Sequence, residues 1–177
     1  PHFHFPETLA YQQEVAASLD LRDLRVIRPA AADLARDDPT GDLHQFDTDA
    51  CCMARKTVPL ERALRPFDGW ITGRKRYQGN TRAALEFFEV ERPDGAPPRL
   101  KVNPLAHWRS EDVQDYMIEN RLPRHPLVAQ GYPSIGCEPC TRPVTEGDDP
   151  RAGRWAHAPE KTECGIHLGP DGRFRRG

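Results

Sequence analysis

The sequence predicts an α/β fold, a mostly parallel sheet with flanking helices, followed by a loop-rich C-terminal segment. Three observations carry that prediction. Short runs rich in β-branched and aromatic residues alternate with stretches of helical apolar spacing. The alternation itself favours parallel strands joined through helices. From Pro123 onward Gly and Pro punctuate the chain so densely that neither period survives, and long ordered loops are expected there.

Taken in order, "HFPETLAYQQEVAASL" reads as a strand end entering a helix, because Leu9, Val15, Ala16 and Leu19 keep roughly helical spacing. "LRVIRP", residues 24–29, is an expected short strand, and "RDDPTGDLHQFDTD", residues 36–49, a polar loop. A helix follows over "ACCMARKTVPLERALR", with Asp47, Thr48 or Asp49 as its N-cap. "GWITG" reads as a buried strand with a glycine stop. "LEFFEVE" and "RLKVNPL" are two further strands around the turn "RPDGAPP". "SEDVQDYMIENRL" is an amphipathic helix capped by Ser110, with Val113, Met117 and Ile118 turned inward. No repeat or low-complexity segment interrupts the pattern.

The totals narrow the function classes. At 177 residues the chain fits one domain and can bury a real core. Its 25 basic and 27 acidic residues leave a net charge of −2, which argues against nucleic-acid binding through bulk charge. No apolar run approaches the roughly 20 residues a membrane helix needs, and no signal segment opens the chain. A soluble cytoplasmic protein is expected.

Four of the five cysteines come in pairs. Cys51 and Cys52 are adjacent at a helix start; Cys137 and Cys140 form a C-x-x-C in a loop. A C-x-x-C turn lets both sulfurs face one centre. Neighbouring residues on a helix point about 100° apart, so Cys51 and Cys52 share a centre only if it is large or the turn is distorted. A cubane iron–sulfur cluster suits that better than one zinc ion. Two buried small hydrophobes, or a thioredoxin-like redox motif, are the competing readings. Four thiols in two pairs make a four-thiolate site the better fit, and disulfides are disfavoured without a sign of secretion.

A longer pattern then emerges. "ACCMARKTVPLERAL", "WITGRKRYQGNTRA", "KVNPLAHWRSEDV", "GYPSIGCEPCTRPV", "DPRAGRW" and "KTECGIH" occur in this order. Together they resemble the C-terminal two-thirds of the assimilatory adenylyl-sulfate reductases of the sulfonucleotide reductase family. The resemblance implies an adenine nucleotide alpha hydrolase-like, Rossmann-like fold. It also implies a [4Fe–4S] cluster on Cys51, Cys52, Cys137 and Cys140, with Lys56 between cluster and substrate. Arg82, Arg151 and Arg154 match arginines that hold the substrate's phosphate and sulfate. Cys164, in E-C-G-I-H, matches the nucleophile, and His167 is a further substrate-binding candidate. The implied activity reduces adenylyl sulfate to sulfite and AMP through a cysteine S-sulfonate, with thioredoxin or a similar thiol as reductant. Having both cysteine pairs tilts the substrate toward adenylyl sulfate rather than its 3′-phosphorylated form; the alternatives are that second substrate, or a non-catalytic metal-binding remnant.

Physical reasoning supports these roles separately. A thiolate attacking an anionic sulfate group needs fixed cations, and the planar guanidinium suits sulfate and phosphate oxygens. "PRAGRW" supplies two such arginines, with Gly153 allowing close backbone approach; a solvated basic loop is the bland alternative. Lys161 and His167 would lower the Cys164 pKa, and adjacent Glu163 would raise it. Gly165 and Gly169 would serve as hinges for a nucleophile that must meet both substrate and reductant. Thiol chemistry suffices to carry the electrons, so the cluster's expected role is electrostatic and structural, through Lys56.

The chain also departs from the family. No Ser/Gly-rich phosphate-gripping loop precedes "HFPETLAY", so an N-terminally incomplete fold, a fragment or truncated product, is expected. Lys75 stands where the family shows an arginine, Tyr77 an acid and Gly79 a serine, while Gln78 and Arg82 remain. The expected organisation is a partial nucleotide-binding reductase domain with the iron–sulfur site over 1–155 and a mobile tail over 156–177 carrying Cys164. Neither nucleic acid nor membrane is an expected partner, and a homo-oligomer is an open option.

Overall fold

The computed structural model describes residues 2–79, 82–93, 95–158, 160, 161, 163 and 166. They fall into two compact units, one of residues 1–59 with 123–161 and one of 60–122 with 162–177.

The first unit opens with α1 (Pro6–Ser18), which starts with Pro6 in the position where a missing N–H costs nothing. Tyr11 Oη donates to the Pro123 carbonyl at 2.8 Å, and Thr8 Oγ1 lies 2.9 Å from His125 Nε2. These bonds tie α1 to the start of the Gly/Pro-rich segment. Residues 24–29, expected as a strand, form no ladder among the described residues. Their β-branched composition finds no partner strand there, and Leu24 and Ile27 stay over a third exposed.

Alanine-rich α2 (Ala31–Asp37) follows. The expected loop over 36–49 is more structured than its polarity suggests. The Asp38 carboxylate accepts from the Gly41 and Leu43 N–H groups at 2.9 and 3.2 Å, turning the chain into α3 (Leu43–Phe46). Asp47 then caps α4 (Thr48–Cys52), accepting from the N–H groups of Asp49 and Ala50. The helix widens into a π-helical stretch over Met53–Thr57 before continuing as α5 (Val58–Leu64). From Pro123 the unit is loop, as expected, with 3₁₀ turns at Pro126–Gln130 and Glu138–Cys140.

The second unit holds a three-stranded sheet of β1 (Gly69–Ile71), β2 (Phe88–Glu91) and β3 (Arg99–Val102), ordered β1-β3-β2. β1 runs parallel to β3, while β2 and β3 form an antiparallel hairpin. The sheet's two faces are unusual. Glu91, Arg99 and Lys101 are nearly inaccessible, whereas Ile71, Phe88, Val90 and Leu100 are exposed. "GWITG" is therefore not a wholly buried strand: Ile71 is 73% exposed. The buried charges survive by pairing. Glu91 accepts from Lys101 Nζ at 2.7 Å, Arg99 Nε at 2.9 Å and Trp70 Nε1 at 2.9 Å, and Arg99 also reaches Glu61 on α5 at 2.6 Å.

Helix α6 (Ser110–Glu119) begins at Ser110, but the N-terminal bond is made by Asp112, which accepts from the Arg109 N–H at 2.7 Å. Val113 and Met117 are half-buried as expected; Ile118 is 65% exposed, because the helix covers only a narrow stripe.

Candidate functional site

The two cysteine pairs, far apart in sequence, meet in the first unit. Cys51 and Cys52 lie in the last turn of α4, each 7% exposed, immediately before the π-helical widening. That widening is the kind of distortion two adjacent thiols need to face one centre. Cys137 caps the 3₁₀ turn that contains Cys140, whose N–H donates to the Cys137 carbonyl at 3.0 Å. The Thr141 hydroxyl donates to the same carbonyl at 2.8 Å and accepts from the Gly136 N–H at 3.2 Å. His4 pairs with Cys137 as an isolated antiparallel bridge, and the Glu138 N–H donates to the Phe3 carbonyl at 2.8 Å. One cavity is lined by all four cysteines together with Phe3, Thr48, Arg55, Lys56 and Trp155.

All four paired thiols are free, and they sense one another. Burial raises the Cys51 pKa first, with Arg55 opposing and the Cys137 and Cys140 sulfurs adding to the rise. Burial likewise raises Cys140, reinforced by Cys137 and Cys52 and opposed by Lys56 and Arg154. An all-sulfur donor set is soft, suited to zinc or iron–sulfur chemistry rather than to magnesium or calcium. Among the described residues, however, no three His, Cys, Asp or Glu side chains converge as they would on a single metal ion.

Arg55 is the residue that sequence reasoning missed. It is 4% exposed. Its Nη1 points to Cys51 Sγ at 3.7 Å, Nη2 pairs with buried Asp38 at 2.6 Å, and Nε donates to His2 Nδ1 at 2.9 Å. The guanidinium also lies 4.5 Å from the centre of the Phe3 ring. The available signal was its position four residues after Cys51, one helical turn along the same face.

The "PRAGRW" arginines flank the same cavity through Trp155. Trp155 is 2% exposed and takes a left-handed backbone with φ 49°, its N–H donating to the Cys140 carbonyl at 2.9 Å. Arg154 stacks its guanidinium 4.4 Å from the Trp155 ring centre, and Arg151 lies at 5.9 Å. Arg154 Nη1 further reaches the Ile135 carbonyl at 3.3 Å, so it is not a solvated loop arginine. Two glycines make this possible. A Cβ on Gly153 would fall 2.1 Å from the Arg142 carbonyl oxygen, and one on Gly136 would fall 2.5 Å from Arg154 Nη2. Gly153 thus lets the loop pack against the Arg142 backbone. Lys161, 5.7 Å from the same ring centre, forms an ion pair with Asp49.

Arg82 belongs to the second unit. Its Nε and Nη2 donate to the two Glu163 carboxylate oxygens at 2.5 and 2.7 Å, and Nη1 donates to Gln78 Oε1 at 2.5 Å. Gln78 Oε1 also accepts from the Lys75 N–H at 3.1 Å. Cys164 and His167 lie outside the described residues.

Comparison with known proteins follows the same outline. The family model described as "Phosphoadenosine phosphosulfate reductase domain" matches residues 1–143, a span that contains all four paired cysteines. The adenosine 5'-phosphosulfate reductase of Mesorhizobium japonicum is 57% identical over 93% of this chain and 63% of its own length. The phosphoadenosine 5'-phosphosulfate reductase of Gloeobacter violaceus is 43% identical over 93% of this chain and 68% of its own. The chain therefore spans about two thirds of the length of the relatives it matches. The crystal structure of phosphoadenylyl-sulfate reductase from Candida auris superposes with a TM-score of 0.58 at 27% identity, covering 80% of this chain and 67% of that one. The Rossmann-like α/β class expected from the sequence is the one these proteins share.

Proposed function

Because this chain belongs to the phosphoadenosine phosphosulfate reductase family, we propose that it is the reductase portion of an enzyme converting adenylyl sulfate to sulfite and AMP. The observation that carries this reading is the meeting of Cys51, Cys52, Cys137 and Cys140 around one cavity that Lys56 also lines.

Those four thiols fit a [4Fe–4S] cluster better than a single ion. In a tetrahedral zinc site with Zn–S bonds of about 2.3 Å the sulfurs crowd together, which suits the adjacent Cys51 and Cys52 of one helical turn poorly. A cluster takes each thiolate at a separate iron. When bound, it would supply a structural staple and a local electrostatic field, felt at the substrate through Lys56.

The reaction is carried by the chain's own residues. Arg82, Arg151, Arg154, Lys56 and His167 supply donors and positive charge for the anionic nucleotide. The Cys164 thiolate attacks the sulfur of the sulfate group. A sulfur–sulfur bond forms as the sulfur–oxygen bond to the phosphate breaks, and AMP leaves with the electron pair. Cys164 is left as an S-sulfonate. A dithiol reductant, thioredoxin or a similar protein, then attacks Cys164 Sγ, and sulfite departs with the pair from the broken sulfur–sulfur bond. The reductant's second thiol displaces Cys164 from the mixed disulfide, so the reductant is oxidised and the thiolate restored. In this division of labour residues 1–155 hold cluster and substrate, and 156–177 carry the nucleophile. No described helix is long and apolar enough to cross a membrane, and thiol turnover calls for a reducing compartment, the cytoplasm.

The test begins with the metal. Protein prepared without oxygen should be brown and contain iron and acid-labile sulfide in near-equal amounts, and Cys52→Ser or Cys140→Ser should lose both. Colourless protein with stoichiometric zinc overturns the cluster. Competition between adenylyl sulfate and its 3′-phosphorylated form decides the substrate; a preference for the latter would favour the phosphoadenosine 5'-phosphosulfate reductase reading.

A further inference from the structure

Trp155 is a bulky residue on a left-handed backbone, with φ 49°. Side chains of its size adopt that conformation only where their surroundings enforce it. Its N–H donates to the Cys140 carbonyl at 2.9 Å, and the residue is 2% exposed. In an extended chain neighbouring side chains point to opposite faces. Here the ring lies under the side chain of its own predecessor, 4.4 Å from the Arg154 guanidinium. That guanidinium also abuts Gly136, where an added Cβ would fall 2.5 Å from Nη2 and 2.6 Å from the central carbon. Its Nη1 reaches the Ile135 carbonyl at 3.3 Å and Ser134 Oγ at 3.4 Å. Arg154 and Trp155 thus grip the chain on either side of the Cys137–Cys140 turn.

We infer that Trp155 is a positioning residue: its ring is the platform that holds the Arg154 guanidinium against the cysteine turn, and anion binding through Arg154 depends on it. The left-handed backbone and the bare Gly136 are two parts of one arrangement. The first brings the ring under the arginine, and the second leaves room for the guanidinium. An arginine without such a platform spreads over many rotamers and loses that freedom on binding. Stacked on the ring, its planar fork meets the anion already oriented. The identity of the anion rests on the reductase reading; the seat of Arg154 between Trp155 and Gly136 stands without it.

The test uses the full-length protein with its cluster and has two readouts. The first is the rate at which phenylglyoxal modifies Arg154, followed by peptide mass. The second is the Kd for AMP and for inorganic sulfate, at ionic strength matched with chloride. Trp155→Leu should raise the modification rate several-fold and weaken the anion that uses Arg154 by about tenfold. Trp155→Phe keeps a ring face and should bring both readouts back toward the unsubstituted values. Gly136→Ala leaves the indole in place but drives the guanidinium off it, so it should reproduce the Trp155→Leu result even if that variant fails to fold. Iron content and visible spectrum should hold in Gly136→Ala and Trp155→Phe, since the bond to the Cys140 carbonyl is a backbone one. In an Arg154→Leu background, Trp155→Leu should cost no further affinity, because both act through one guanidinium. Unchanged modification and affinity in Gly136→Ala and Trp155→Leu overturn the inference. So does faster modification with unaltered affinity for both probes, or an affinity loss that persists undiminished in the Arg154→Leu background. Were the reductase reading wrong instead, adenylyl sulfate with thioredoxin would yield no sulfite while the modification and affinity differences persisted.

Discussion

The Arg55 guanidinium spans from the Cys51 sulfur, 3.7 Å from Nη1, to the buried Asp38 carboxylate, 2.6 Å from Nη2. Both charged side chains are almost wholly buried, at 4% and 1% exposure. Burial by itself would raise the Asp38 pKa; the Arg55 bond and the Leu43 and Gly41 N–H groups outweigh it and hold the group below its ordinary value. Removing one partner strands the other. Arg55→Met or Asp38→Asn should therefore cost about 3–5 kcal/mol in urea unfolding. The double variant Arg55→Met with Asp38→Leu should recover much of that loss. A single variant costing under about 1 kcal/mol would mean the pair is solvated rather than buried.

That pair also marks where sequence reasoning stopped. The cysteine spacing, a helix cap among Asp47, Thr48 and Asp49, and the β2–β3 strand pair were legible because each rests on local chemistry: thiol pairs, a side-chain acceptor before a helix, a Gly/Pro turn between strands. Arg55 was not, since an arginine four residues from a cysteine looks the same whether it points to water or to sulfur. Residues 24–29 misled for a related reason. β-branched composition reports what a segment would do beside a partner strand, not whether a partner is present. Ile71 and Ile118 are apolar and exposed, while Lys101 is charged and 1% exposed; hydrophobic patterning cannot foresee a sheet face stabilised by ion pairing.

His125 supplies a pH dependence. Its Nδ1 accepts from the Leu127 N–H at 3.2 Å, so Nε2 carries the proton and donates to Thr8 Oγ1 at 2.9 Å. Burial lowers its pKa, with Glu7 opposing, and burial pushes His4 down to about 4. Both groups take a proton more readily unfolded than folded. Stability is then full above the unfolded value of about 6.5 and falls as the pH drops from there toward 4. Unfolding free energy should decline by about 1–2 kcal/mol between pH 7 and pH 5. His125→Asn, which keeps an acceptor for the Leu127 N–H but cannot titrate, should flatten part of that decline. An unchanged slope would show that His125 titrates as freely in the fold as out of it.

Arg154 combines packing with a proposed anion contact. Arg154→Leu gives up the stack on Trp155 at 4.4 Å, which should cost about 0.5–1 kcal/mol of stability. It should also weaken nucleotide binding by about 1.5–3 kcal/mol if the guanidinium bonds an anionic group. Calorimetric titration with AMP separates the two effects, because lost packing alone leaves affinity intact. Unchanged affinity would make Arg154 a structural cover for Trp155 and nothing more.

Cys164 decides between an enzyme and a metal-stapled scaffold. Four cysteines share the cavity and Cys164 is the one the sequence leaves without a paired neighbour, so its loss should spare whatever the four bind. In the full-length protein, Cys164→Ser should keep the visible spectrum of the cluster and still bind adenylyl sulfate. It should fail to gain the sulfonate mass that the unsubstituted protein acquires when substrate is added without reductant. The chemical reason is twofold: a serine hydroxyl is scarcely ionised at neutral pH, and an O-sulfonate could not exchange with a reductant thiol. Added mass on another cysteine, or sulfite still released in the presence of thioredoxin, would remove Cys164 from the nucleophile's role. Loss of the spectrum would instead make it a ligand, and the division of the five cysteines into four and one would fail.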